Sequence, residues 1–137
     1  MAITCNLCAD KPLDSYGVCY GDEHSVNVCS DTQSNHIIVS SMGMTVVVLH
    51  NHPSTQTFSL DDIYFFLSYA SVQVIVVVSN QGTVHYLYKD SGYDYSAAFF
   101  LFKECTKHIK RTSFAKTHYL AALSFLVRCS EVGLYYS

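Results

Sequence analysis

The sequence predicts an α/β fold in a single domain, with a mixed central sheet covered by helices. Three observations lead there. Short apolar stretches with alternating or unbroken patterning recur between Ser15 and Leu49 and again from Val72, as strands require. The order of patterns is strands, a helix, a hairpin and then two helices, which is the order of a sheet with helices laid on it. The chain has 137 residues, 50% of them apolar and 14% charged, enough to bury a core without a covalent staple and too apolar for a disordered chain.

Residues 1–14 show no sustained period and carry Pro12, so they read as an irregular leader ahead of a domain spanning 15–137. From Ser15 to Cys29 the pattern is extended, with Val18 and Tyr20 before Gly21-Asp22 and Val26 and Val28 after it; the Gly-Asp pair is a turn or bulge. Ser30 to Asn35 is a turn-rich linker. His36 to Ser40 and Thr45 to Leu49 read as strands, and the second is apolar on both faces, as a covered central strand should be. After Ser59 a helix is expected to about Ala70, because Ile63, Phe66, Leu67 and Ala70 recur at helical spacing. Val72 to Val78 is the strongest strand, and Asn80-Gln81-Gly82 before Thr83 to Tyr88 signals a hairpin. Lys89 to Tyr93 is a loop. Two helices follow, about Tyr95 to Lys110 and Phe114 to Val132, with Gly133 as a stop. In the second, Tyr119, Leu120, Leu123, Leu126 and Val127 are expected to line one face.

One stretch carries chemistry. Val46-Val47-Val48-Leu49 leads into His50-Asn51-His52-Pro53, and residues i and i+2 of a strand project to the same side, so one ion can take both imidazoles. Pro53 ends the ladder because it has no N–H to donate. Ser59 reads as the N-cap of the next helix, which puts Asp62 at N3 in capping-box spacing. Two imidazoles at a strand end and a carboxylate in a first helical turn form an open three-ligand zinc site, His50, His52 and Asp62, with a fourth position for water. Alone, a His-x-His is usually incidental and a Ser-x-x-Asp is usually a helix cap. Here the two occur in order, between an apolar strand and an amphipathic helix.

His50-x-His52-Pro53 followed by Ser59-x-x-Asp62 resembles the motif of the JAMM/MPN metalloproteases, also called Mov34 or JAB domains. Asn51 between the histidines is closest to the prokaryotic, RadC-like and phage- or toxin-associated branches. The resemblance covers 13 residues closely and roughly residues 15 to 110 in the order of elements. It implies a cytidine-deaminase-like α/β fold and a Zn2+-dependent peptidase or isopeptidase acting on a peptide or protein. It also implies a general base on a strand upstream of the histidines, which assigns that role to Glu23 with Asp22 as the fallback, and it gives the Ser59 hydroxyl the task of stabilising the oxyanion. Little chain follows Asp62 that could form the insertions with which eukaryotic deubiquitinases grip ubiquitin, so a small prokaryotic or phage-type peptidase, or a toxin or effector domain, is the expectation. Two alternatives stand beside it: a non-catalytic MPN-like binding module and a RadC-like nucleic-acid-associated protein.

Other features bound the reading. The net charge of −3 provides no general attraction to nucleic acid. Six of the eight Lys and Arg nevertheless lie at or beyond Lys103; Lys103, Lys107, Lys110 and Arg111, late in a helix, read as a solvated face. No apolar run approaches the ~20 residues that span a membrane, and the N-terminus has no secretory pattern, so a cytoplasmic protein with six free thiols is expected, export as an effector or toxin being left open. Cys5-x-x-Cys8 with Cys19 and Cys29 is a poor zinc knuckle, because the second pair is spread too widely. His24 is a candidate neighbour of the site if its strand borders it, His85 reads as a structural or surface residue of an alternating strand, and His36, His108 and His118 lack ligand spacing. Amidohydrolase barrels need roughly 250 residues. A cupin wants a glutamate four or five positions after the second histidine, where Gln56 and Thr57 stand.

Overall fold

The computed structural model describes residues 16–21, 26–31, 47–52 and 55–137. Among these residues it is an α/β protein with a mixed sheet and three α-helices. The chain divides into two compact units, Met1–Thr57 with Ser71–Tyr86, and Phe58–Ala70 with Leu87–Ser137. The expected leader, the His36 to Ser40 strand, Asp22, Glu23, His24 and the Cys5-x-x-Cys8 pair lie outside the described residues.

In the first unit the strands run in the order β2-β1-β3-β4. Strands β1 (Tyr16–Gly21) and β2 (Val26–Asp31) pair antiparallel, with Val18 opposite Cys29 and Gly21 opposite Val26. Strand β3 (Val47–Asn51) is antiparallel to β1, with His50 opposite Val18, and parallel to β4 (Val74–Val78), with His50 opposite Val77. It is thus the strand where the sheet changes direction. Val48, Leu49, His50 and Asn51 are all buried, the two-faced burial expected of a central strand. On one face Leu49 packs with Val47 and its register partner Val76; on the other His50 is in line with Val48, in a sheet where Ile75 and Val77 are fully buried.

Strand β5 (Val84–Lys89) neighbours β4. Its connection begins at Ser79, whose N–H donates to Thr83 O at 2.8 Å and whose carbonyl accepts from Gly82 N–H at 2.9 Å. Gly82 takes φ +80 there, a left-handed conformation that explains the glycine of the turn. Five residues cannot make a parallel crossover, so the connection is the hairpin that Asn80-Gln81-Gly82 signals.

The second unit holds α1 (Leu60–Ser68), α2 (Tyr95–Thr106), α3 (Ala115–Arg128), a 3-10 turn (Cys129–Val132) and β6 (Leu134–Tyr136). Ile63, Phe66 and Leu67 of α1 are fully buried, as the helical period predicts. The helix stops at Ser68, two residues short of the expectation. The Ser68 hydroxyl donates to Tyr64 O at 2.6 Å, and Tyr69 leaves the helix in extended geometry with its carbonyl accepting from Lys89 Nζ at 2.9 Å. No basic residue occupies the last turn, so a lysine from β5 supplies the cation that a helix C-terminus favours.

Helix α2 is capped by Asp94, whose carboxylate accepts from Ala97 N–H at 2.8 Å. It ends at Thr106, not Lys110, because the Thr106 hydroxyl turns back onto Phe102 O at 2.8 Å and Lys110 and Ser113 close a reciprocal turn, Lys110 N–H to Ser113 Oγ and Ser113 N–H to Lys110 O. Helix α3 buries a different face from the one its leucines suggest. Ala121, Ala122, Phe125 and Leu126 face the core, while Leu120 is 53% exposed and Val127 80% exposed. Phe125 of this buried face meets Phe102 of α2 edge-on at 5.9 Å. Gly133 at φ +75 ends the 3-10 turn. The chain continues as β6, antiparallel to β5 with Lys89 opposite Leu134 and with Tyr88 and Tyr135 stacked at 5.0 Å, a strand too short to show a period in the sequence. Cys129 is buried with its thiol 3.7 Å from Leu134 O, and both Cys105 and Cys129 are free thiols, as expected.

Candidate metal centre

The strand end delivers the two histidines together. His50 is the fourth residue of β3, and His52 follows with its backbone N–H donating to Val78 O at 2.8 Å, the last ladder bond before Pro53, which has no N–H. Both imidazoles lie together, their Nε2 atoms 3.1 Å apart, with ring centroids at 4.9 Å and 65° between planes. His50 is buried and His52 half-buried.

Asp62 is held at the start of α1 by the capping box that its spacing from Ser59 predicts. Ser59 N–H and Ser59 Oγ–H both donate to Asp62 Oδ2, each at 2.7 Å, and Asp62 N–H donates back to Ser59 Oγ at 3.1 Å. Ser59 has the extended backbone of an N-cap (φ −79, ψ 168). With Asp61 and Asp62 in the first turn, negative charge sits where the helix macrodipole is positive.

Among the described residues, one group of His, Cys, Asp and Glu side chains has the spacing of a metal centre. It is His50, His52 and Asp62, whose ligand atoms all lie within 4.8 Å of one another. The donor set suits a divalent transition metal. Two nitrogens each ~2.0–2.1 Å from one tetrahedral zinc would be about 3.3 Å apart, and the two Nε2 atoms are separated by 3.1 Å. The same spacing can be bridged by a proton only if the two rings adopt complementary tautomers. A group of two imidazoles and one carboxylate leaves a coordination position for water or substrate, the distinction between catalytic and structural zinc sites.

Glu23, the base implied by resemblance, lies outside the described residues. The other two glutamates are committed elsewhere. Arg128 Nε and Nη2 bind both oxygens of Glu131 at 3.0 and 3.2 Å, and Nη1 binds Glu104 at 3.3 Å. The hydrogen bond from Arg128 holds the Glu131 carboxyl below its ordinary pKa, which weakens it as a base. Lys103, Lys107, Lys110 and Arg111 are all exposed, with the last two in the turn beyond α2. Of the other histidines within the described residues, His85 is half-buried, His108 exposed, and His118 carries a buried Nε2 with no hydrogen-bond partner.

Lys89 is the residue whose setting the sequence does not announce. Its ammonium lies 4.6 Å from the centre of the Phe66 ring and 5.2 Å from that of Tyr93, and burial lowers its pKa to about 8. A single lysine at a strand end, with its ring partners 23 residues before it and four after, leaves no local pattern to read. No helix among the described residues is long and apolar enough to cross a membrane. Comparison of the chain with protein-family models, with curated proteins and with solved structures gives no match.

Proposed function

We propose that the chain is a JAMM-like, zinc-dependent amide hydrolase, a peptidase or isopeptidase, centred on His50, His52 and Asp62. The observation that carries the reading is the convergence of these three donors within 4.8 Å, from a strand end and a first helical turn, in the order of the His-x-His-Pro and Ser-x-x-Asp motif. The chain's own residues then have definite tasks. His50 and His52 would offer imidazole nitrogens to the ion, and Asp62 would bring a carboxylate. A zinc ion held there would supply a Lewis acid for a scissile carbonyl and acidify water. Glu23 would take a proton from the attacking water and pass it to the leaving amine, a transfer that needs a carboxylate unencumbered by a cation. Glu104 and Glu131, tied to Arg128, do not meet that need.

The test has two stages. Elemental analysis of the purified protein is expected to give near one zinc per chain in wild type and in a Cys5→Ala/Cys8→Ala variant, falling toward zero in His52→Ala. Equal zinc in wild type and His52→Ala would end the reading. With zinc bound, a quenched-fluorescent peptide library and isopeptide-linked lysine substrates are expected to show cleavage that disappears in Glu23→Gln at unchanged zinc content. Zinc bound without any cleavage would leave the non-catalytic module as the function.

A further inference from the structure

We infer that Ser59 is a positioning residue for the metal: through Asp62 Oδ2 its hydroxyl sets the carboxylate, and with it the zinc affinity of the centre. This rests on the metal-centre reading above. A serine hydroxyl has one proton and two lone pairs, and both kinds of capacity are in use here. The proton goes to Asp62 Oδ2 at 2.7 Å, and a lone pair accepts the Asp62 N–H at 3.1 Å. An oxyanion donor must direct its proton at the position where charge develops. Ser59 could do so only by withdrawing that proton from the carboxylate it steadies.

The geometry has a second consequence. The Ser59 N–H also ends on Oδ2 at 2.7 Å, so two donors converge on one oxygen and fix the rotation of the carboxylate. Asp62 is only half-buried and Ser59 is exposed, so packing alone would leave an aspartate here several rotamers. The capping box is therefore more than a helix terminus. It prepays the ordering of the anionic ligand before the ion arrives. Losing such an outer partner typically weakens metal affinity ~10–100-fold.

The experiment measures zinc affinity by competition with a chromophoric chelator, in wild type, Ser59→Gly and Ser59→Thr. Glycine removes the hydroxyl yet is tolerated at N-caps nearly as well as serine, and threonine keeps the hydroxyl. The expected result is zinc binding weakened ~10–100-fold in Ser59→Gly and held within about threefold of wild type in Ser59→Thr. Cobalt(II) substitution gives a readout independent of affinity: the visible ligand-field bands should change in Ser59→Gly and return in Ser59→Thr. Should Ser59→Gly fail to fold, Ser59→Ala is measured in its place. Zinc affinity within twofold of wild type in the hydroxyl-free variant, with unchanged cobalt bands, would overturn the inference while leaving the centre standing. Absence of zinc binding by wild type would overturn both.

Discussion

Two glycines with nearly the same backbone allow the cost of a left-handed residue to be separated from the cost of a close approach. Gly82 has φ +80 and Gly133 φ +75. A Cβ built on Gly82 would meet nothing within 4 Å, whereas one on Gly133 would lie 2.3 Å from Gly92 C, Gly92 O and Tyr93 N. Alanine at either position pays the left-handed penalty, about 1–2 kcal/mol. At Gly133 the 92–93 backbone must also retreat by roughly 1 Å to restore ordinary contact. That movement pulls on the two hydrogen bonds tying this loop to the 3-10 turn, Asp90 N–H to Gly133 O at 3.0 Å and Asp94 N–H to Val132 O at 3.2 Å. At about 0.5–1.5 kcal/mol each, their loss brings Gly133→Ala to about 2–5 kcal/mol of destabilisation, against about 1–2 for Gly82→Ala. Equilibrium urea unfolding of both variants, with the slope checked for constancy, measures the difference. Equal losses at the two positions would refute the reasoning, because backbone conformation alone would then account for both.

Ser79 is buried and its hydroxyl accepts from Gln81 N–H at 3.3 Å and Thr83 N–H at 3.1 Å. Ser79→Ala leaves these turn donors without that acceptor and is expected to cost about 1–2 kcal/mol in urea unfolding. Lys89 sets a pH dependence. Its pKa falls from 10.5 to about 8 in the folded chain through desolvation, so between those values the unfolded chain binds more protons and stability rises with pH. Half-exposure and the two facing rings keep the rise to about 1 kcal/mol or less. Lys89→Met, which keeps the stem's packing, should flatten that rise between pH 8 and 10.5 in thermal unfolding; an unaltered profile would show that Lys89 is not its source.

Much of this arrangement is legible in the sequence because it is local. The His-x-His pair needs only the two-residue period of a strand, and the Ser59 to Asp62 cap needs only the geometry of a first turn. Ile63, Phe66 and Leu67 mark the buried stripe of α1 because they recur at helical spacing, while Tyr64, off that spacing, is exposed. Helix α3 fails the same test for a physical reason. Leucines occupy several of its faces, and the buried one carries, beside Phe125 and Leu126, Ala121 and Ala122, small residues that give no hydrophobic signal of their own in the sequence. The end of α2 depends on a threonine hydroxyl turning inward, and β6 on pairing with a strand 45 or more residues earlier, so neither leaves a local trace. In the candidate site, the grouping of His50, His52 and Asp62 could be read from spacing. That both Ser59 donors converge on one oxygen of Asp62 is a rotamer fact that sequence does not encode.

The burial of Cys129 makes its chemistry a matter of timing. Desolvation pushes its thiol up to about 11, so at neutral pH only about one molecule in ten thousand carries the reactive thiolate, and the buried sulfur is shielded from reagents. Alkylation at this position must wait for the 3-10 turn and β6 to part. Its rate therefore counts openings of the chain's last segment, a clock that other cysteines, read separately by peptide mapping, do not disturb.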